Sequence, residues 1–206
     1  MGGRSSSFGG GSGYTQYTTQ GQSMKGLGLN NGGEADRWMG DLSPEETQAV
    51  SDYTSDAYEE LNEALRQERD FKGSSYNYPE LDRQLEKAID KFNLEHNTTF
   101  IRGSSSALLG GAGTVEEINA MKGSIVHDKA YTSTSAHTGG GFDGEVVYHI
   151  NTPKGKGIGA YVRGLSHFKN ENEFLFNKGS AFKIMNAYED NWGQVHCNLK
   201  YVGRFN

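Results

Sequence analysis

The sequence holds a single cysteine, Cys197. One thiol can form neither an internal disulfide nor a cysteine-based metal site, and it reads as a small buried apolar residue. The chain therefore carries no mark of folding in an oxidising compartment. Its six histidines are scattered, with no His-x3-His or His-Glu-x2-His spacing, so no metal site is expected. There is no basic run. Lys and Arg total 20 against 26 Asp and Glu, a formal net charge of -6. Such a chain is a poor candidate for nucleic-acid binding through phosphate contacts, although a nucleotide needs only one or two well-placed cations. No apolar run is long enough to span a membrane. Met1 to Gly13 lack the apolar stretch of a secretory signal. The expectation is a protein that stays where it is made or is delivered by a route without a classical signal. Met1-Gly2 with Ser6 fits a myristoylation pattern only loosely.

Glycine, in contrast, is abundant, at 29 of 206 residues, and unevenly spread. Residues 1–35 are rich in Gly, Ser, Thr and Gln and offer little apolar surface to offset the entropy of ordering. They are read as a flexible tail, and residues 36–206 as one domain. Ser43, Pro44 and Glu46 make a helix start with a capping box. Ala49, Tyr53, Ala57, Leu61 and Ala64 then form an apolar stripe running toward Arg69. Pro79 opens a second helix, with Leu81, Leu85, Ala88, Ile89 and Phe92 on one face and an end near His96. Beyond it lie short strand-like runs: Thr98–Arg102, Val146–Ile150, Gly159–Val162, Glu173–Phe176, Ala181–Met185 and Lys200–Phe205. Val115–Met121 is a helical turn. Helices first and strands afterwards imply an α+β domain.

Four local features could carry chemistry. Phe100-Ile101-Arg102-Gly103 is a strand ending in Arg-Gly, able to meet an anion; alone, it reads as a surface arginine before a turn. Tyr131-Thr132-Ser133-Thr134-Ser135 places alternate hydroxyls on opposite faces of a strand, which an ordinary polar edge strand would also do. Ser133 has no nucleophile elbow around it. Phe168-Lys169-Asn170-Glu171-Asn172-Glu173 leads into apolar Phe174-Leu175-Phe176. In a strand Glu171 and Glu173 would share a face, and one would have a raised pKa; a solvated turn is the other reading. Finally, Tyr58 and Asn62 are helical neighbours, with Tyr53 on a different side.

Taken in order, these features resemble the arginine-serine-glutamate class of mono-ADP-ribosyltransferases, typified by bacterial exotoxin catalytic components. The resemblance runs from Leu42 to Asn206. It rests on Tyr53-x4-Tyr58-x3-Asn62, Ile101-Arg102-Gly103, Tyr131-Thr132-Ser133-Thr134-Ser135 and Tyr161-x6-Phe168-x2-Glu171-Asn172-Glu173. The opening Met1-Gly2-Gly3-Arg4 also looks like proteins of phages. The resemblance implies helices packed on a two-sheet β core, NAD as substrate, no metal, and a single-chain enzyme acting on an arginine of a target protein. It implies that Glu173 stabilises the ribosyl cation, Ser133 holds Glu173 and Arg102 binds an NAD phosphate. Gly103 would offer its backbone to the carboxamide, and Phe142 would stack on nicotinamide. Tyr53, Tyr58, Asn62, Thr134 and Ser135 would complete the NAD site. Glu171 would receive the target arginine, with Phe168 touching the target. The second arginine that toxin relatives often carry after the serine motif has no counterpart, since Val147 stands there. Alternatives on the same residues are an NAD glycohydrolase, with water as acceptor, and a non-catalytic interaction module.

Overall fold

The computed structural model describes residues 33–71, 76–136 and 144–205. Its helical layer comes first. Helix α1 spans Glu34–Gly40, α2 Pro44–Asp52, α3 Tyr58–Gln67 and α4 Tyr78–Lys91. The α2 start is the expected one. The Ser43 hydroxyl accepts from the Glu46 N–H, and the Glu46 carboxylate accepts from the Ser43 N–H, with Pro44 in the first turn. Helix α1 starts at Glu34, two residues before the start expected for the domain, with Ala35 and Trp38 buried. Its fixing contacts are tertiary: the Trp38 indole donates to the Ala88 carbonyl at 2.7 Å and meets the edge of Phe92.

Two helix expectations need correction. The long first helix is not uniform: Tyr53–Ala57, between α2 and α3, is a π-helical turn. The second helix does not reach His96. It stops at Lys91, because Phe92 adopts extended backbone and packs its fully buried ring into the core.

The strands are β1 Asn93–Leu94, β2 Thr98–Ser104, β3 Ile125–His127, β4 Thr132–Ser135 and β5 Val146–Thr152, followed by β6 Gly155–Lys156, β7 Gly159–Tyr161, β8 Glu173–Phe176, β9 Ser180–Glu189 and β10 Val195–Arg204. Strands β1 and β6 form a separate small pair. The other eight lie in the order β3-β9-β10-β5-β2-β4-β8-β7. Only β5 and β10 run parallel among the described pairs. Strands β2 and β4 meet at one registered pair, Ile101 with Ser135. The expected two sheets are thus two wings joined at a narrow seam, and Arg102 and Ser133 lie on either side of it.

The core sits between the helices and the sheet. Phe100 of β2 and Phe174 of β8 stack with centroids 3.9 Å apart, so a single aromatic pair spans the seam from one wing to the other. Phe92 and Phe176 meet Phe174 edge-on. Offset and edge-on aromatic pairs add about 0.5–1.5 kcal/mol each beyond burial. Glu173 immediately precedes Phe174 of this layer on β8.

Candidate active site

A cleft of about 500 Å3 opens where the π turn and α3 face the seam. Tyr53, Tyr58, Asn62 and Arg66 line its helical wall. Arg102 of β2, Ser133 of β4 and Glu173 of β8 line the sheet side, and Phe168 and Glu171 the rim. Four chain-distant segments therefore bring their polar groups to one place.

The π turn explains how Tyr53 joins this set. Tyr53 and Asn62 are separated by nine residues, about two and a half turns of an α-helix, which would put them on opposite sides. A π turn takes in an extra residue and swings Asn62 back toward Tyr53. The Asn62 amide donates to the Tyr53 hydroxyl at 2.8 Å, and its carbonyl accepts the Tyr131 N–H at 3.2 Å. Asn62 thereby ties the helical wall to the start of β4. The expectation that Tyr53 lies away from Tyr58 and Asn62 is corrected: it is both core and cleft lining.

Glu173 is the most unusual group present. It is only 6% exposed, yet it faces the cleft. Burial pushes its pKa up to about 7; the Ser133 hydroxyl hydrogen-bonds it and opposes the shift, the Glu171 charge adds to it, and Arg102 opposes it. A carboxyl with such a pKa is poised to change charge near neutrality, a mark of functional sites. Half-buried Arg102 donates from Nη1 to the Ser133 carbonyl at 2.7 Å. Burial lowers its pKa, and the charge of Asp128 acts in the opposite sense. A guanidinium nonetheless stays charged in proteins.

The rim is a tight turn. Lys169–Glu171 is one 3-10 turn, and Asn172 follows in the left-handed region at φ 51°. Asparagine tolerates that conformation better than other non-glycine residues. The buried Asn172 side chain donates to the Asn170 carbonyl and accepts from the Tyr161 hydroxyl, so the turn is pinned from inside. Glu171 and Glu173 therefore do not share a strand face, as sequence alternation suggested. The left-handed residue between them turns both toward the cleft, one exposed and one buried.

Several expected contact residues sit elsewhere. The Thr134 hydroxyl donates to the Phe174 carbonyl at 2.6 Å, and that of Ser135 to the Glu171 carbonyl at 2.9 Å. Neither is among the cleft-lining residues, and both bond the β8 side of the seam. Their geometry suits bracing of the Glu171–Glu173 segment rather than contact with a dinucleotide. Gly103 continues β2 opposite Val147 and does not line the cleft either. Phe142 lies outside the described residues. Arg66, Glu59 and Thr54 line the cleft without having been singled out from sequence, and Tyr131, noted only as the first residue of the Ser-Thr-Ser motif, lines it too. For Arg66 a signal existed, because Tyr58, Asn62 and Arg66 recur at four-residue helical spacing.

Residues 31–200 match the family model described as ADP-ribosyltransferase exoenzyme. The chain is 32% identical over 155 residues to the NAD(+)--arginine ADP-ribosyltransferase EFV of Enterococcus faecalis, covering 73% of this chain and 31% of that protein. It is 31% identical over 164 residues to the NAD(+)--protein-arginine ADP-ribosyltransferase Tre1 of Serratia proteamaculans, covering 78% and 33%. It thus spans about a third of the length of these curated relatives. Among solved structures, the Paenibacillus larvae ADP-ribosyltransferase toxin Plx2a superposes with a TM-score of 0.77 at 22% identity, covering 90% of this chain and 98% of that one. C3stau2 from S. aureus, solved with NAD, gives a TM-score of 0.76 at 17% identity, covering 94% and 100%. With the family model spanning most of its length and Arg102, Ser133 and Glu173 gathered in one cleft, the chain belongs to the ADP-ribosyltransferase exoenzyme family.

Proposed function

We propose that this domain transfers ADP-ribose from NAD to an arginine side chain of a target protein and releases nicotinamide. The observation that carries the reading is the convergence of a buried, hydroxyl-braced carboxylate, two guanidiniums and an exposed carboxylate on one cleft. Family membership and the similarity to the arginine ADP-ribosyltransferases EFV and Tre1 support it further. Arg102 and Arg66 supply positive charge for the pyrophosphate. As the glycosidic C–N bond breaks, nicotinamide leaves with the bonding pair and positive charge develops on the ribose. Ionised Glu173 stabilises that charge. Ser133 keeps Glu173 in place, so its role is orientation rather than attack. The target guanidine then closes on the anomeric carbon, and its proton passes to Glu171. Exposed Phe168 and Tyr58 flank the entrance and offer apolar surface to the target. We take the catalytic unit to be a monomer, as the family resemblance implies.

The deciding experiment is incubation of a protein mixture with labelled NAD and this protein. Label on protein, located at arginine by mass spectrometry, is the expected result. NAD consumed with all label in free ADP-ribose would reassign the domain as a glycohydrolase. NAD left intact would make it a non-catalytic module.

A pH dependence follows. Catalysis needs Glu173 ionised, and its pKa is about 7. The kcat/KM for NAD hydrolysis, which reports the free enzyme, should rise with pH and level off above about 7, with one ionisation on the acid limb. A profile flat from pH 5 to pH 8 would count against this role for Glu173.

A further inference from the structure

We infer that Asp128 is a positioning residue for NAD binding: it grips one edge of the Arg66 guanidinium so that the remaining edge faces the cleft. The inference rests on the NAD reading above. Arg66 stands in the last turn of α3, and its side chain is 45% exposed. A long side chain there would ordinarily sample many rotamers in water, and ordering it on binding would cost affinity. Asp128 removes that freedom. Arg66 Nε donates to Asp128 Oδ1 at 2.9 Å and Nη2 to Oδ2 at 2.8 Å, a two-pronged fork. Such planar pairs fix orientation as well as adding energy.

Asp128 is itself held firmly. Its side chain is 12% exposed. Oδ1 also accepts the Ala130 N–H at 3.0 Å, and Oδ2 accepts the Thr132 hydroxyl at 3.3 Å. Its own N–H donates to the Ser180 carbonyl at 3.1 Å. The segment from Asp128 to Thr132 links β3 to β4, so the arginine clamp and the strand bearing Ser133 are registered to each other. Asp128 is not among the cleft-lining residues, whereas Arg66 is. It therefore acts through the arginine rather than on the dinucleotide.

Donor counting shows what is left over. A guanidinium has five N–H groups, and the Asp128 fork uses two of them. The Nη1 group and the second Nη2 hydrogen remain for a phosphate. Asp128 also moderates the second arginine: its charge favours the cationic form of Arg102, while that of Arg66 disfavours it. One carboxylate thus lets two guanidiniums share the cleft.

This role and a purely electrostatic one predict opposite signs. If only potential mattered, removing an anion beside the cleft would tighten NAD binding. If orientation matters, removing it weakens binding. The test compares Asp128→Asn, Arg66→Lys and the double variant with the unmodified chain, by NAD hydrolysis. Asparagine keeps the size and the Ala130 contact but loses the charge; lysine keeps the charge but loses the fork. Each single variant should raise the KM for NAD about tenfold, as loss of a charge-assisted hydrogen bond implies. The kcat should stay within about threefold, and the double variant should match the singles, because both remove one shared interaction. An unchanged or lowered KM in Asp128→Asn overturns the inference, as do single effects that multiply. If Asp128→Asn does not fold, Arg66→Lys on its exposed helix end decides alone, and an unaltered KM there overturns it. Unmodified protein that neither binds nor hydrolyses NAD would overturn the functional reading as well, whereas hydrolysis with unaltered KM in the variants overturns this inference alone.

Discussion

Replacing Glu173 with glutamine should abolish both NAD hydrolysis and arginine modification while making the protein more stable above neutral pH. Glutamine matches glutamate in shape and can still pair with Ser133, so the cleft geometry survives. What it loses is the negative charge that stabilises the ribosyl cation. Removing one preorganised electrostatic contact of this kind typically costs about 10²- to 10³-fold in kcat. The stability gain has a separate origin. Folding raises the Glu173 pKa from the usual 4.5 to about 7. Below pH 4.5 the carboxyl is neutral folded or unfolded, and it exacts no penalty. As pH rises, the unfolded chain releases the proton while the folded chain keeps it, so stability falls until about pH 7 and is level beyond. The full penalty is roughly 3 kcal/mol. Glu173→Gln removes it, so its melting temperature should exceed that of the unmodified protein at pH 8 and approach it at pH 4.5. Hydrolysis within tenfold of the unmodified chain would remove Glu173 from the chemistry. A lower melting temperature at pH 8 would contradict its burial cost.

Legibility in the sequence followed how local each cause was. The capping box at Ser43 needs only four consecutive residues, and both α2 and its start were readable. Strand β8 was readable as well, because Phe174-Leu175-Phe176 is a fully buried run between polar turns. Helix α1 was not, since its N-cap Gly33 offers no side-chain bond and its anchors are Ala88 and Glu95, far along the chain. The π turn was invisible because Ala49, Tyr53, Ala57 and Leu61 suit α-helical spacing equally well. The same limit applied inside the cleft. Arg102, Ser133, Glu171 and Glu173 stood out through their order along the chain. The link from Arg66 to Asp128 spans 62 residues and left no local trace. Thr134 and Ser135 were expected to contact NAD from the family resemblance, and strand alternation, which gives a face but not a partner, could not test that. Their hydroxyls point to backbone carbonyls of the neighbouring Glu171–Phe174 segment, on the same wing of the sheet.

Glu171→Gln should separate the two halves of the reaction: arginine modification falls by about 10²-fold or more while NAD hydrolysis continues. An arginine side chain is protonated at any physiological pH and is a poor nucleophile until it sheds a proton. A carboxylate at the rim can bind the guanidinium and take that proton; an amide can hydrogen-bond it but cannot act as a base. Water as acceptor has no such requirement. Glu171 is exposed on the turn that ends at Asn172, outside the buried Ser133–Glu173 contact, so its replacement leaves that contact in place. It should leave a second signature in hydrolysis. The Glu171 charge helps to raise the Glu173 pKa. Without it Glu173 ionises more readily, and the acid limb of the hydrolysis profile shifts to lower pH. Parallel assays of free ADP-ribose and of labelled arginine acceptor, each across pH, read both effects. Equal loss of hydrolysis and transfer would show that Glu171 serves the dinucleotide rather than the acceptor. An unshifted acid limb would show that the two carboxylates do not sense each other across the Asn172 turn.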